Sequence, residues 1–175
     1  MTPVPLTLPP RLAQRLPPEQ ASRLIGVGNA NLLAELLLGF IASRACPANV
    51  LIETLDLVAQ WARAGRVLVS GFHSPLEQQV LTSLLRRQGR AVKVLARGMR
   101  DYWPDSTEKN ALDENRLLVL TAFPPTIART TRATALERNR LVLQLASERY
   151  IPHIAPGSRL RNWRSIWMTH EPYIT

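Results

Sequence analysis

The sequence predicts an α/β protein with three layers, an open parallel sheet covered by helices on both faces. Short apolar runs bounded by glycine or polar residues alternate along the chain with longer segments of helical periodicity. No internal repeat or low-complexity tract interrupts this alternation. Strict alternation of strand and helix is typical of right-handed βαβ crossovers, and these build a parallel sheet.

From residue 36 onward, each predicted element follows from its local pattern. Apolar runs predict strands at residues 36–42, 66–70, 91–96, 116–121 and 150–155. Periodic segments predict helices at residues 49–64, 74–88, 107–114 and 134–148. Asn49 is expected to cap the first of these helices and Gly65 to end it. Pro152 places the last strand at an edge of the sheet, since proline donates no hydrogen bond to a neighbouring strand.

Both ends of the chain differ from this pattern. Residues 1–25 hold six of the 14 prolines and lack sustained periodicity. They are predicted to form an N-terminal arm or short helices that lie on the domain and outside the sheet. Residues 26–158 form the predicted main domain. Residues 159–175, which contain Trp163 and Trp167, are predicted as a tail or an added edge element.

Size and composition exclude several classes of protein. At 175 residues the chain can bury a core as one domain. Cys46 is the only cysteine, so neither a disulfide framework nor a cysteine-based zinc site is expected, and a reducing, cytoplasmic location fits. The most hydrophobic run, residues 32–42, is too short to span a bilayer and contains Glu35 and Gly39, so no membrane association is expected.

Net charge indicates a polyanionic partner. The formal charge is +9, and the chain has 20 arginines against two lysines. A positive excess of this size favours nucleic acid as the partner, although a soluble basic protein with no such partner would have the same composition.

The turn after the second predicted strand suits an anion. The apolar run at residues 67–69 ends in Ser70 and Gly71, and Ser74 with Glu77 then forms the capping box of a helix. A strand end, a glycine turn and a helix N-terminus aim unpaired backbone N–H groups at one spot, so phosphate is the first ligand to consider. An ordinary strand-to-helix turn, with Ser74 acting only as a cap, is the alternative.

Ligands of open parallel sheets bind beyond the carboxyl ends of the strands, and we call the residues that follow the predicted strands the strand-end rim. Candidate binding residues on the strand-end rim are Ser43, Arg44, Ser70, Gly71, Phe72, His73, Ser74, Arg97 and Phe123, with Arg138, Asn139 and Arg140 brought near from the following helix. Arginine offers paired donors to phosphate, and small residues allow close backbone approach. The set therefore predicts a phosphate-binding site.

Several of these residues have a simpler interpretation. His73 is a lone loop histidine without a paired acid or nucleophile. Arg138 and Arg140 would also fit a solvated helix face. Phe72 and Phe123 are either core residues or platforms on which a nucleic-acid base stacks.

Catalytic and cofactor motifs are missing from the sequence. The segment from Gly26 to Asn31 lacks the third glycine of the dinucleotide-binding signature, and it precedes the first predicted strand instead of following it. The chain contains no Walker loop, no His-Glu-x-x-His and no Gly-x-Ser-x-Gly. We therefore expect no catalytic residue, no metal site and no cofactor.

The motifs together resemble those of the DNA-processing protein A family, known as DprA or Smf, whose core is Rossmann-like. The family's Gly-Asn and Gly-Ser-Arg elements resemble Gly28-Asn29 and the segment from Gly39 to Arg44, and Val69-Ser70-Gly71 matches the start of its Ser-Gly-x-Ala-x-Gly-Ile-Asp motif. The remaining matches follow in the family's order: Gly98 with Asp101-Tyr-Trp-Pro104, then Phe123-Pro-Pro125, then Arg138-Asn-Arg140.

The chain also departs from the family pattern. After Gly71 the family's Ala-x-Gly-Ile-Asp is replaced by His73-Ser-Pro-Leu-Glu77, and its Ser-Glu before Phe-Pro-Pro is replaced by Thr121-Ala122. We expect a minimal, diverged member without a helical domain before the Rossmann-like core or a winged helix after it. The resemblance implies binding of single-stranded DNA at a basic pocket, homodimerisation through the Rossmann-like domain, and help in loading a recombinase onto incoming DNA during natural transformation.

Three functional hypotheses compete. The first is a non-enzymatic protein that holds the phosphates of single-stranded DNA at the strand-end rim, with Phe72 or Phe123 stacking a base. The second is a sensor that holds a nucleotide-like small ligand in the same pocket, which the altered loop after Gly71 favours. The third is an enzyme like the related phosphoribohydrolases, whose Pro-Gly-Gly-x-Gly-Thr-x-x-Glu motif has only a faint counterpart in Pro156-Gly157-Ser158.

Overall fold

A seven-stranded sheet organises the protein. The computed structural model describes residues 2–100 and 102–153. The strands are β1 (Val4–Pro5), β2 (Ile25–Gly28), β3 (Leu37–Phe40), β4 (Val67–Ser70), β5 (Arg90–Val94), β6 (Leu117–Thr121) and β7 (Glu148–Tyr150). The helices are α1 (Pro10–Ala13), α2 (Pro18–Ser22), α3 (Ala48–Arg63), α4 (Pro75–Arg86), α5 (Ser106–Asp113) and α6 (Arg132–Leu145), with a 3-10 helix at Ala30–Ala34.

The predicted α/β fold class is confirmed. The strand order is β1-β2-β6-β5-β4-β3-β7, and the five strands from β6 to β7 are mutually parallel. The chain crosses from β3 through β4 and β5 to β6 in one direction, so crossovers of one hand place α3, α4 and α5 on the same face. Helix α6 carries the chain back from β6 to β7 at the far edge and covers the opposite face.

The two faces of the sheet bury two separate cores, which completes the three layers. On β4, Val67 and Val69 pack into the core that contains Leu141 of α6. Leu68, between them, packs into the other core with Val58 of α3 and residues of α4. Every residue of β4 is buried for this reason, and the strand is a continuous apolar run in the sequence instead of an alternating one.

The N-terminal region differs in part from its prediction. Helices α1 and α2 are the expected short helices, but Val4–Pro5 pairs antiparallel with Ile25 and Gly26, and β2 pairs antiparallel with β6. The prediction that residues 1–25 stay outside the sheet is therefore wrong, and the sheet is mixed at this edge. The sequence does not predict these strands because they are short and rich in proline and glycine, and because β2 pairs with β6, more than 80 residues away in the chain.

Two further predictions about element boundaries need correction. Asn49 does not cap α3, because the helix begins at Ala48 with Pro47 at its N-cap and no side-chain cap. Strand β7 begins earlier than expected and ends before Pro152, although its edge position next to β3 is confirmed. The end of the predicted last strand, and Trp163 and Trp167 beyond it, lie outside the described residues. In the part that is described, no helix has the length and apolar character needed to cross a membrane.

Candidate functional site

The carboxyl ends of β3, β4, β5 and β6 meet at one edge of the sheet, as the strand-end rim requires. The parallel registers align Leu38 with Leu68, Leu68 with Ala91, and Ala91 with Leu117. The four loops that follow these strands therefore lie side by side. This arrangement brings the candidate residues of the four loops to a common edge.

The turn that opens α4 is held together by Glu77. Its buried carboxylate accepts hydrogen bonds from the backbone N–H groups of Ala42 (2.9 Å), His73 (2.8 Å) and Ser74 (3.3 Å). The Ser74 hydroxyl accepts in turn from the N–H of Glu77 (3.4 Å), which confirms the capping box. The prediction that this turn offers unpaired backbone N–H groups to a phosphate is wrong for His73 and Ser74. These two N–H groups are already bonded to Glu77 and are not available to an anion.

Ser70 and Phe72 are structural residues of the same turn. The Ser70 side chain is fully buried, and its Oγ accepts a hydrogen bond from the N–H of Phe72 (3.2 Å). Phe72 has a left-handed backbone (φ 47°), and its ring is 4% exposed in the core beneath α4. Neither side chain is open to a ligand in this conformation, so the prediction that Phe72 stacks a base is wrong.

Gly71 leaves the space that the Arg138 guanidinium fills. A Cβ atom built on Gly71 would lie 1.8 Å from Nη1 and 2.1 Å from Cζ of Arg138. Only glycine permits this contact between the β4 loop and α6. Arg138 is 5% exposed, and burial lowers the pKa of its guanidinium, with the nearby Glu77 carboxylate acting in the opposite direction.

Most of the hydrogen-bonding capacity of Arg138 is unused within the described residues. Its Nε donates to Asn139 Oδ1 (2.7 Å), and its two terminal NH₂ groups donate to none of those residues. Neither NH₂ group is fully enclosed by the described residues, so both stay open to acceptors from outside the protein. An anionic ligand at the strand-end rim would supply such acceptors.

Three cationic or titratable side chains form what we call the basic cluster: Arg44, His73 and Arg138. The pKa of His73 is lowered mainly by partial desolvation of its ring and next by Arg138, with a further contribution from Arg44 and an opposing one from Glu77. The positive charges of both arginines therefore act on His73, Arg44 from the β3 loop and Arg138 from α6. Arg44 and His73 are exposed, whereas Arg138 is buried, so the cluster has an open side.

A pocket of about 320 Å³ lies beside the basic cluster, and Arg138 lines it together with Phe123. The N-terminal region also lines the pocket, through Pro17, Glu19, Gln20 and Arg23 around α2. Phe123 is half-buried and lines this pocket. Of the two predicted base-stacking platforms, Phe123 has the matching environment.

The remaining candidates are spread around this centre. Asn139 is half-buried and bonded to Arg138, while Arg140 is exposed on the outward side of α6, two positions and about 200° away. Ser43 is buried in the β3 loop. The carbonyl of the half-buried Arg97 accepts a hydrogen bond from Thr121 Oγ1 (2.8 Å), which ties the β5 and β6 loops together. The structure therefore does not place Arg140 beside Arg138.

Two features of the site were not found from the sequence. The contribution of α2 to the pocket depends on contacts between distant parts of the chain, and no local pattern indicates it. Trp103, on the loop after β5, is 85% exposed. Its position next to a strand end would have suggested it as an aromatic contact.

Comparison with known proteins identifies the family. The model of the DNA recombination-mediator protein A family matches residues 7–153 of this chain. The chain belongs to this family. The match covers most of the sequence and includes every residue of the basic cluster and of the pocket wall. Comparison with curated protein sequences finds no match.

Solved structures of DNA processing protein A share the fold. The Helicobacter pylori protein superposes with a TM-score of 0.73 at 22% sequence identity, and the match covers 90% of this chain and 72% of that protein. That protein is described as having a unique single-stranded DNA binding mode. The Streptococcus pneumoniae protein superposes with a TM-score of 0.67 at 21% identity, covering 90% of this chain and 56% of its own. The chain thus spans little more than half the length of the Streptococcus pneumoniae protein.

Proposed function

We propose that this protein binds single-stranded DNA at the strand-end rim as an accessory factor in DNA recombination. One observation carries the proposal: Arg138 is buried against Gly71 with its terminal NH₂ groups free among the described residues, and Arg44 and His73 stand beside it. Membership of the recombination-mediator family and a DNA-binding relative of the same fold support it. The proposal assigns no catalytic step and no cofactor to the chain.

The basic cluster suits a phosphodiester backbone. The guanidinium groups of Arg44 and Arg138 offer forked donors that match two phosphate oxygens, and both reach the cluster around His73. Phe123 provides an apolar surface in the adjoining pocket, where a base attached to a bound phosphate would pack. A single strand meets these needs better than a duplex, since its bases are free to leave the stack.

The experiment that tests the proposal is fluorescence anisotropy of a labelled single-stranded oligonucleotide, with the same sequence as duplex for comparison. Single strands lose affinity with a logarithmic salt slope of about −0.7 per neutralised phosphate. If the basic cluster contacts about three phosphates, the affinity falls roughly 20-fold between 50 and 200 mM salt. Arg44→Ala is expected to reduce the slope by about 0.7.

A matched control separates the basic cluster from general charge. Arg86 is exposed in the last turn of α4, at the opposite end of the sheet, so Arg86→Ala removes the same charge from another place. It is expected to leave the slope nearly unchanged. Equal effects of Arg44→Ala and Arg86→Ala, or an affinity that does not respond to salt, would contradict phosphate binding at the strand-end rim.

Assembly is part of the same proposal. We propose in addition that the protein forms a homodimer through the Rossmann-like domain and contacts a recombinase, which it helps to load onto the bound strand. Sedimentation of the protein with and without oligonucleotide tests the first point. Co-sedimentation with a recombinase on single-stranded DNA tests the second.

A nucleotide-like small ligand is the second candidate, and the pocket volume favours it. At about 320 Å³, the pocket beside Phe123 is at the lower end of the range that small-molecule sites occupy. The replacement of the family's loop after Gly71 by His73 to Glu77 points the same way. Saturable binding of a mononucleotide, with no binding of oligonucleotides at low salt, would favour this function over the first.

A further inference from the structure

Trp103 is the most exposed large hydrophobic side chain of the described residues, at 85%. Exposure of an indole group to water costs free energy, because a large apolar surface stays hydrated. Trp103 lies between the end of β5 and the start of α5, at the edge of the sheet where the basic cluster is found. Its exposure and its position together indicate that it contacts a partner at the strand-end rim.

The loop that carries Trp103 is firmly anchored on both sides. The Tyr102 hydroxyl donates to Glu108 Oε2 (2.8 Å), and Lys93 pairs with the same carboxylate while its Nζ lies 5.4 Å from the centre of the Tyr102 ring. On the other side, Pro104 restricts the backbone of Trp103 and Asp105 caps α5. The residues on either side of the indole are thus held in place, and binding a partner requires little additional ordering of them.

The same loop contacts the loop that follows β6, next to Phe123. The N–H of Gly98 donates to Ile127 O (2.8 Å), and a Cβ built on Gly98 would lie 2.6 Å from Pro124 O. Trp103 comes five positions after Gly98, so their Cα atoms are at most about 17 Å apart. At 3.4 Å per nucleotide, that distance is about five nucleotides of one strand. One bound strand is therefore long enough to contact both loops.

We propose that Trp103 is a stacking platform for one base of the single strand whose phosphates occupy the basic cluster. The inference rests on the proposed function. It adds a contact between Trp103 and a base to the contacts between the basic cluster and the phosphates. Every base has a flat π surface, so stacking on the indole accepts any sequence while requiring that a base be present. It also favours single strands over duplexes, in which the bases are already stacked on each other.

The test compares a thymidine oligonucleotide of about 12 nucleotides with an abasic strand of equal length, which has the same phosphates and no bases. Wild-type protein is expected to prefer the thymidine strand. Trp103→Ala is expected to weaken binding of that strand about 5- to 150-fold and to leave binding of the abasic strand unchanged. Trp103→Phe retains an aromatic face and is expected to recover part of the loss. Ile52→Ala, at another exposed apolar position (60% exposed), controls for loss of surface hydrophobicity.

Each other outcome overturns the proposal in a recognisable way. If Trp103→Ala weakens both strands equally, the side chain acts on the phosphates or on the loop. If it changes neither, the indole has another partner, such as a protein. If wild type binds both strands equally and with steep salt dependence, phosphate binding holds and stacking fails. If wild type binds neither strand, the proposed function fails as well.

Discussion

An alanine methyl group at position 71 would occupy the space that the Arg138 guanidinium fills. The added Cβ would lie 1.8 Å from Arg138 Nη1, and ordinary van der Waals contact begins at 3.4 Å. The guanidinium must therefore move by about 1.6 Å or more. The group that moves is the far end of a flexible side chain, so Gly71→Ala is expected to destabilise the fold by only about 1 kcal/mol, the low end for an overpacked site.

The same displacement has a larger effect on binding. Guanidinium–phosphate hydrogen bonds are about 2.7–2.9 Å long, and a shift of about 1.6 Å breaks a pair of them unless the strand moves as well. A hydrogen bond to a charged group contributes about 1.5–3 kcal/mol. Gly71→Ala is therefore expected to weaken single-stranded DNA binding by about 10- to 150-fold.

A double-mutant cycle measured by fluorescence anisotropy tests this reasoning, with thermal unfolding as the control for stability. In the Arg138→Ala background the methyl group meets no guanidinium, so Gly71→Ala is expected to have almost no further effect. Two results would refute the argument: an equal loss of binding in both backgrounds, or a lower melting temperature with unchanged affinity.

Three further predictions concern the turn beside Gly71. Glu77→Ala leaves three backbone N–H groups without their acceptor. It is expected to destabilise the protein by on the order of 3 kcal/mol, or roughly 6–12 °C in melting temperature, and Glu77→Gln should recover part of the loss. An unchanged melting temperature would contradict this role of Glu77. Because the pKa of His73 is lowered, the ring is neutral at pH 7 and a bound phosphate would raise that pKa. Affinity for single-stranded DNA is expected to increase as the pH falls from about 7.5 to about 5.5, and His73→Asn should remove that dependence. Without DNA, the lowered pKa means that His73 binds a proton less readily in the folded state than in the unfolded state. Lowering the pH through the pKa that His73 has in the unfolded state is therefore expected to destabilise the fold, and His73→Asn should lessen this effect.

The comparison between α4 and the N-terminal strands indicates which features a sequence determines. The Ser74 and Glu77 capping box was predictable because its partners are three residues apart and meet in any helix that starts there. Strands β1 and β2 were missed because their stability comes from pairing with distant residues, as in the contact of Gly26 with Leu120. Local sequence specifies local hydrogen bonds, and it specifies long-range strand pairing only weakly.

Arg138 and Arg140 show the same limit on one helix. The sequence grouped them because they are adjacent in a motif, yet one is buried and the other is exposed. A signal was present: Arg138 precedes Leu141, Val142 and Leu145 by three, four and seven positions, which places it on their buried face.

The sequence by itself determined the α/β class, the parallel strands with their connecting helices, and the family, because these depend on periodicity and on motifs that are close in the chain. Only the tertiary structure decided which candidate residues meet. It placed Glu77 on the backbone donors of the β4 turn, brought Arg138 against Gly71, and left Trp103 exposed. The physical reason is that binding chemistry depends on distances of a few ångströms between elements, and those distances are set by how the helices pack on the sheet.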